Sequence, residues 1–159
     1  MFNVSSYQGA SENNWQLALK QLDALLEGES NITANLANAS ALLNQFLDEI
    51  NWVGFYVHDG SELVLGPFQG LPACVRIPIG KGVCGTAAQQ QTTVRVHDVN
   101  VFEGHIACDA NSQSEIVVPI IKNGEVFGVL DIDAPIIGRF SETDQINLES
   151  FVDVLLKHI

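Results

Sequence analysis

The 159 residues are 47% hydrophobic, enough to fill a core, and their number suits one domain spanning residues 1–159. A count of 7 basic against 19 acidic residues leaves a formal charge of −12, which repels phosphate backbones and anionic lipid and excludes nucleic acid and membrane surfaces as expected partners. No basic and apolar leader opens the chain and no later run is apolar over a membrane's width, so a cytoplasmic protein is expected.

Between Asn13 and about Leu26, the apolar residues Leu19, Leu22, Leu25 and Leu26 fall at helical spacing, with Gly28 where a cap would sit. A second helix is predicted from about Thr33 to Ile50, with Leu36, Leu43, Phe46, Leu47 and Ile50 along one stripe and no internal Pro or Gly. After Asn51 the texture changes to short aromatic and β-branched runs. Trp52 to Val57 and Glu62 to Leu65 are predicted strands on either side of Asp59-Gly60. Gly80-Lys81-Gly82 leads into a short helix, Val83 to Gln91, and Thr92 to Val96 reads as another strand. Asp98 to Ser114 has no clear period and is a long loop, a kind of segment that commonly carries function. Glu115 to Ile121 and Glu125 to Asp133 form an antiparallel hairpin through Asn123-Gly124, whose residue types tolerate the positive φ angles of a type I′ turn. Ser141-Glu142-Thr143-Asp144 starts a last helix, with Leu148, Val152, Leu155, Leu156 and Ile159 on one face. This order argues an α+β fold with a central, mainly antiparallel sheet. Helices would pack on one face, leaving the other to form a ligand pocket with the long loop.

Side chains two apart on a strand share a face, so Asp131 and Asp133 project together while Leu130 and Ile132 project into the core. By the same parity Trp52 and Tyr56 share a face, and Glu115, at the start of its strand, can lie near the same cavity. Taken singly, an Asp-x-Asp at a strand end is more often a solvated pair, and Trp and Tyr more often core residues than ligand contacts.

The three cysteines are an odd number for a reducing compartment, where a disulfide is usually catalytic or redox-sensing, although free cysteine also serves as a small buried hydrophobe. Cys84 follows Gly80-Lys81-Gly82 at a helix start, where unpaired amides and a nearby ammonium favour a thiolate. Cys108 lies in the irregular loop, near His105, and is the better candidate for meeting a substrate. Cys74 follows Leu71-Pro72-Ala73 on another connection, from which a loop movement could bring it to either partner.

Gly82-Val83-Cys84-Gly85, Val96-His97-Asp98-Val99, Gly104-His105-Ile106-Ala107-Cys108-Asp109, Ser114-Glu115-Ile116-Val117-Val118-Pro119 and Asp131-Ile132-Asp133 occur in that order. From about Trp52 to Phe151 the chain resembles the free methionine-R-sulfoxide reductase family. The resemblance implies a single GAF domain and reduction of free L-methionine-R-sulfoxide to L-methionine. It matches Cys108 to the nucleophile and Cys84 and Cys74 to the cysteines of the disulfide exchange, with the order of those two left open. It matches Trp52 and Tyr56 to aromatic residues around the substrate and Glu115, Asp131 and Asp133 to its acidic ligands. It further implies a homodimer, no bound cofactor or metal, and an external thioredoxin and NADPH system as reductant. Two rival readings are a GAF domain that only senses a small ligand, and a zinc site of Cys84, Cys108 and His105; the second lacks any Cys-x-x-Cys pair.

Overall fold

The structure is a computed structural model that describes residues 12–106 and 108–159. Helix α1, Glu12–Leu26, buries Trp15, Ala18, Leu22 and Leu26, the stripe that three- and four-residue spacing creates. Helix α2, Ile32–Phe46, begins at Asn31, whose side chain accepts from the Ala34 amide. It ends four residues before the stripe does. Leu47 is already extended and Glu49 takes a left-handed φ of 55°, so the chain turns toward the sheet while Leu47 stays buried without being helical.

The strands are β1 Trp52–His58, β2 Glu62–Gln69, β3 Arg76–Pro78, β4 Val94–Val96, β5 Ser114–Lys122 and β6 Glu125–Ala134. They form one sheet in the order β3-β2-β1-β6-β5-β4, and every neighbouring pair is antiparallel. Asn123 and Gly124 turn between β5 and β6 at φ 53° and 80°, the positive pair that a type I′ turn requires. Helix α3, Gly82–Gln90, precedes β4, a 3-10 turn spans Val99–Val101, and helix α4, Glu142–Leu155, closes the fold. Ser141 and Asp144 form a reciprocal capping box at the start of α4.

Alternation in the strands divides the interior in two. Val53 and Phe55 of β1, Ile116, Val118 and Ile120 of β5, and Leu130 and Ile132 of β6 face a core covered by α1, α2 and α4. Their neighbours in sequence, including Trp52, Tyr56, Val117 and Val129, face a smaller cluster shared with α3. The large helical face anchors the sheet, and the opposite face, with α3 as one wall, carries a cavity.

Candidate active site

Register places the polar residues of this second face with little freedom. Asp133 of β6 pairs with Trp52 on one side and Glu115 on the other, so these three side chains stand in a row across the centre of the sheet. One step along, Asp131 sits between Gly54 and Val117. Gly54 has a physical reason to lack a side chain, because a Cβ there would run into Phe68 of β2. Phe68 instead stacks on Trp52 at 5.1 Å between ring centres, and Trp52 stacks on Tyr56 at 5.9 Å.

Trp52, Tyr56, Glu115, Asp131, Asp133, Cys84 and Cys108 all line one cavity, whose empty space is about 520 Å³ including its mouth, within the range of small-molecule sites. Cys74 is not on its wall but is tied to it, because Cys74 and Cys108 form a disulfide with their Cα atoms 5.6 Å apart. The predicted choice between two partners for Cys74 thus falls on Cys108, and Cys84 remains a free, buried thiol. The aromatic residues also hold the Cys74 segment in place. The Trp52 indole donates to the Leu71 carbonyl at 3.1 Å, and the Tyr56 hydroxyl donates to the Cys74 carbonyl at 2.9 Å.

The opposite rim is the long loop predicted without period. The Asn51 amide, just before β1, donates to Asp109 Oδ2 at 2.9 Å and to Ser112 Oγ at 3.1 Å, holding the stretch after Cys108 against the sheet. Gly82 allows the loop to close on α3, since a Cβ there would press on Ile106. Ala107 lies outside the described residues. Phe68, Asn51, Asp109 and Ser112 were not singled out from the sequence. Phe68 lies beyond the predicted end of its strand and past a register shift, where the parity of Leu63 and Leu65 no longer holds, and the loop residues carry no periodic signal.

Three acids in one cavity, Glu115 and Asp131 buried and Asp133 partly so, cannot all ionise cheaply. Burial first, then the Asp133 charge, raises Glu115 to about 8. Asp131 and Asp133 are pushed well above the ordinary carboxylate range, chiefly by burial and then by the neighbouring acid. His105 Nε2 stands 3.5 Å from Glu115, a distance that would suit an ion pair. Burial lowers the proton affinity of His105 while raising that of Glu115, so at neutral pH the two meet as uncharged groups. The same forces overturn the expected thiolate at Cys84. It does sit at the start of α3, but burial and the charges of Asp131, Glu115 and Asp133 push its thiol well up, outweighing the helix terminus and Lys81.

The zinc triad of Cys84, Cys108 and His105 is not assembled either, since the Cys108 sulfur is committed to Cys74. Among the described residues, the metal-type donors that stand together are Cys84, Glu115 and Asp131. Among the described residues no helix is long and apolar enough to cross a membrane.

The chain matches the GAF domain model over residues 22–159. It is 52% identical to the free methionine-R-sulfoxide reductase of Escherichia coli, over 87% of this chain and 84% of that one. The reduced form of fRMsr of Staphylococcus aureus is 54% identical, with a TM-score of 0.89 over 99% of each chain. Free methionine-R-sulfoxide reductase from Neisseria meningitidis, in complex with its substrate, is 42% identical, with a TM-score of 0.89 over 97% of this chain and 94% of that one.

Proposed function

We infer the function of this chain from its kinship and its geometry together: it belongs to the GAF-domain family and, within it, to the free methionine-R-sulfoxide reductases. Its reaction is the reduction of free methionine-R-sulfoxide to methionine. The observation that supports a thiol mechanism is the Cys74–Cys108 disulfide at the rim of a cavity floored by buried acids and stacked aromatic rings.

In the proposed cycle Cys108 is the nucleophile. Its sulfur attacks the sulfoxide sulfur, the oxygen takes up a proton, and methionine leaves with the oxygen retained on Cys108 as a sulfenic acid. The Cys74 thiol then condenses with it, a sulfur–sulfur bond forms, and water departs. A dithiol such as thioredoxin, itself kept reduced by NADPH, returns two electrons and two protons. Cys84 is a buried wall residue in this scheme rather than a resolving thiol. Raised proton affinity lets Glu115 or Asp133 donate to the sulfoxide oxygen at neutral pH. Asp131 Oδ1, buried without a hydrogen-bonding partner, is suited to the substrate ammonium. The Trp52 face suits the partly positive carbons beside the sulfoxide sulfur. The chain needs no bound cofactor, works in the cytoplasm and pairs as a homodimer in this reading.

A pure ligand sensor would use the same fold but would give the disulfide no task. The test is NADPH consumption with thioredoxin and thioredoxin reductase, comparing the R and S epimers of free methionine sulfoxide for the intact chain and Cys108→Ser. Turnover of the R epimer alone, abolished in the variant, is expected. Saturable binding without turnover of either epimer would return the chain to the sensor class.

A further inference from the structure

We propose that the floor of the cavity is also a binding site for a thiophilic divalent cation such as Zn²⁺, held by Cys84, Glu115 and Asp131 and competing there with the amino-acid substrate. The competition rests on the functional reading above; the metal site itself does not.

Three observations meet at this point. Sγ of Cys84 and one carboxylate oxygen each from Glu115 and Asp131 lie within 4.8 Å of one another. The three come from different elements, α3, β5 and β6, so their convergence is a product of tertiary folding rather than of a loop rich in acids. Asp131 is 6% exposed, lines the cavity, and keeps its buried Oδ1 without a hydrogen-bonding partner, an acceptor left for a donor or a cation.

The donor set selects among cations. Two carboxylates and water would suit Mg²⁺ or Ca²⁺, but those hard ions take six or more oxygen ligands and gain little from a thiolate. A thiolate with two carboxylates, leaving a fourth position for water, matches the mixed sulfur and oxygen ligation that Zn²⁺ accepts. Zn–S and Zn–O bonds of about 2.3 and 2.1 Å place ligands about 3.5 Å apart around a tetrahedral ion, so the side chains need to close by about an ångström. Binding displaces the thiol proton and any carboxyl proton, and no electron is transferred. A cation seated here neutralises the group offered to the substrate ammonium, so metal and amino acid exclude one another.

The disulfide makes the site testable without ambiguity about which sulfur is involved. With Cys74 and Cys108 joined, Cys84 is the free cysteine. Zn²⁺ titrated calorimetrically into the oxidised chain is expected to bind at one equivalent and to be displaced by free methionine sulfoxide. Co²⁺ in its place is expected to give near-ultraviolet thiolate-to-metal absorption. Cys84→Ser should lose that absorption and weaken Zn²⁺ by at least about tenfold. Absence of the cobalt band in the unaltered chain overturns the proposal and needs no variant to fold. Equal Zn²⁺ affinity in Cys84→Ser, or several weak equivalents, overturns it as well. Sulfoxide turnover without the metal site, or the metal site without turnover, separates the failure of one reading from that of the other.

Discussion

Glu115→Gln keeps the shape of a buried side chain and removes its ionisation. Folding raises this carboxyl from 4.5 to about 8, so between those values the folded chain holds a proton that the unfolded chain has released. An acid shifted upward makes stability fall as pH rises from about 4.5 through about 8, the reverse of a salt-bridged carboxylate. At pH 7 the difference, at about 1.4 kcal/mol per pH unit above 4.5, amounts to an upper figure of about 3 kcal/mol. For a domain of this length that corresponds to a melting temperature higher by about 6–12 °C in the variant. The gain should vanish near pH 4, where both states carry the proton. The assay is thermal unfolding of both proteins from pH 4 to 9 at fixed ionic strength. The variant should be more stable and less active, as expected where a site holds its acids under tension. Parallel curves, with the same difference at pH 4 and pH 8, would refute the idea that Glu115 is forced to stay protonated.

Tyr56→Phe removes the hydroxyl that holds the Cys74 carbonyl at 2.9 Å, costing about 1 kcal/mol of stability. It should also slow closure of the Cys74–Cys108 disulfide in a single turnover followed by thiol labelling; an unchanged rate would show that this bond does not position Cys74. Val75, 60% exposed, follows Cys74, the half of the disulfide that does not line the cavity. Val75→Glu should raise the thioredoxin KM several-fold and leave dithiothreitol-driven turnover intact, and equal effects on both would argue against docking there. Gly128→Ala would drive a Cβ onto the Tyr56 carbonyl oxygen, and overpacking of this kind costs about 1–3 kcal/mol. A melting temperature equal to that of the unaltered chain would contradict the β1–β6 register.

Much of the site was legible wherever a period could be read. The two-residue alternation placed Asp131, Asp133, Trp52 and Tyr56 on the cavity side and Leu130 and Ile132 in the core, as the register confirms. Failures came where distant charges or chain geometry decide the outcome. Cys84 looked activated because only its own helix start was visible; the acids that hold its proton arrive from β5 and β6. Leu47 and Ile50 fit a helical stripe although the chain has already left the helix, because an apolar residue in a buried turn has the same composition as one in a helix. Strand β2 runs through Gly66-Pro67 to Gln69, past residues that read as a break, beside a register shift in β1 between Gly54 and Tyr56. Strand β3 is three residues ending in proline, too short for alternation to register.

The strand order carries a consequence for how the chain comes into being. Strands β3, β2 and β1 form one meander and β4, β5 and β6 the other, and the seam between them is the β1–β6 pair. Trp52 lies on one side of that seam, with Asp133 and Glu115 on the other. During synthesis from the N-terminus, residues 52–58 emerge long before residues 125–134 exist, so β1 must wait with one edge bare. The growing chain therefore carries a bare strand edge until β6 arrives, and that edge is covered and the cavity completed in the same zippering event. Its acidic charge helps nascent copies repel one another through that interval.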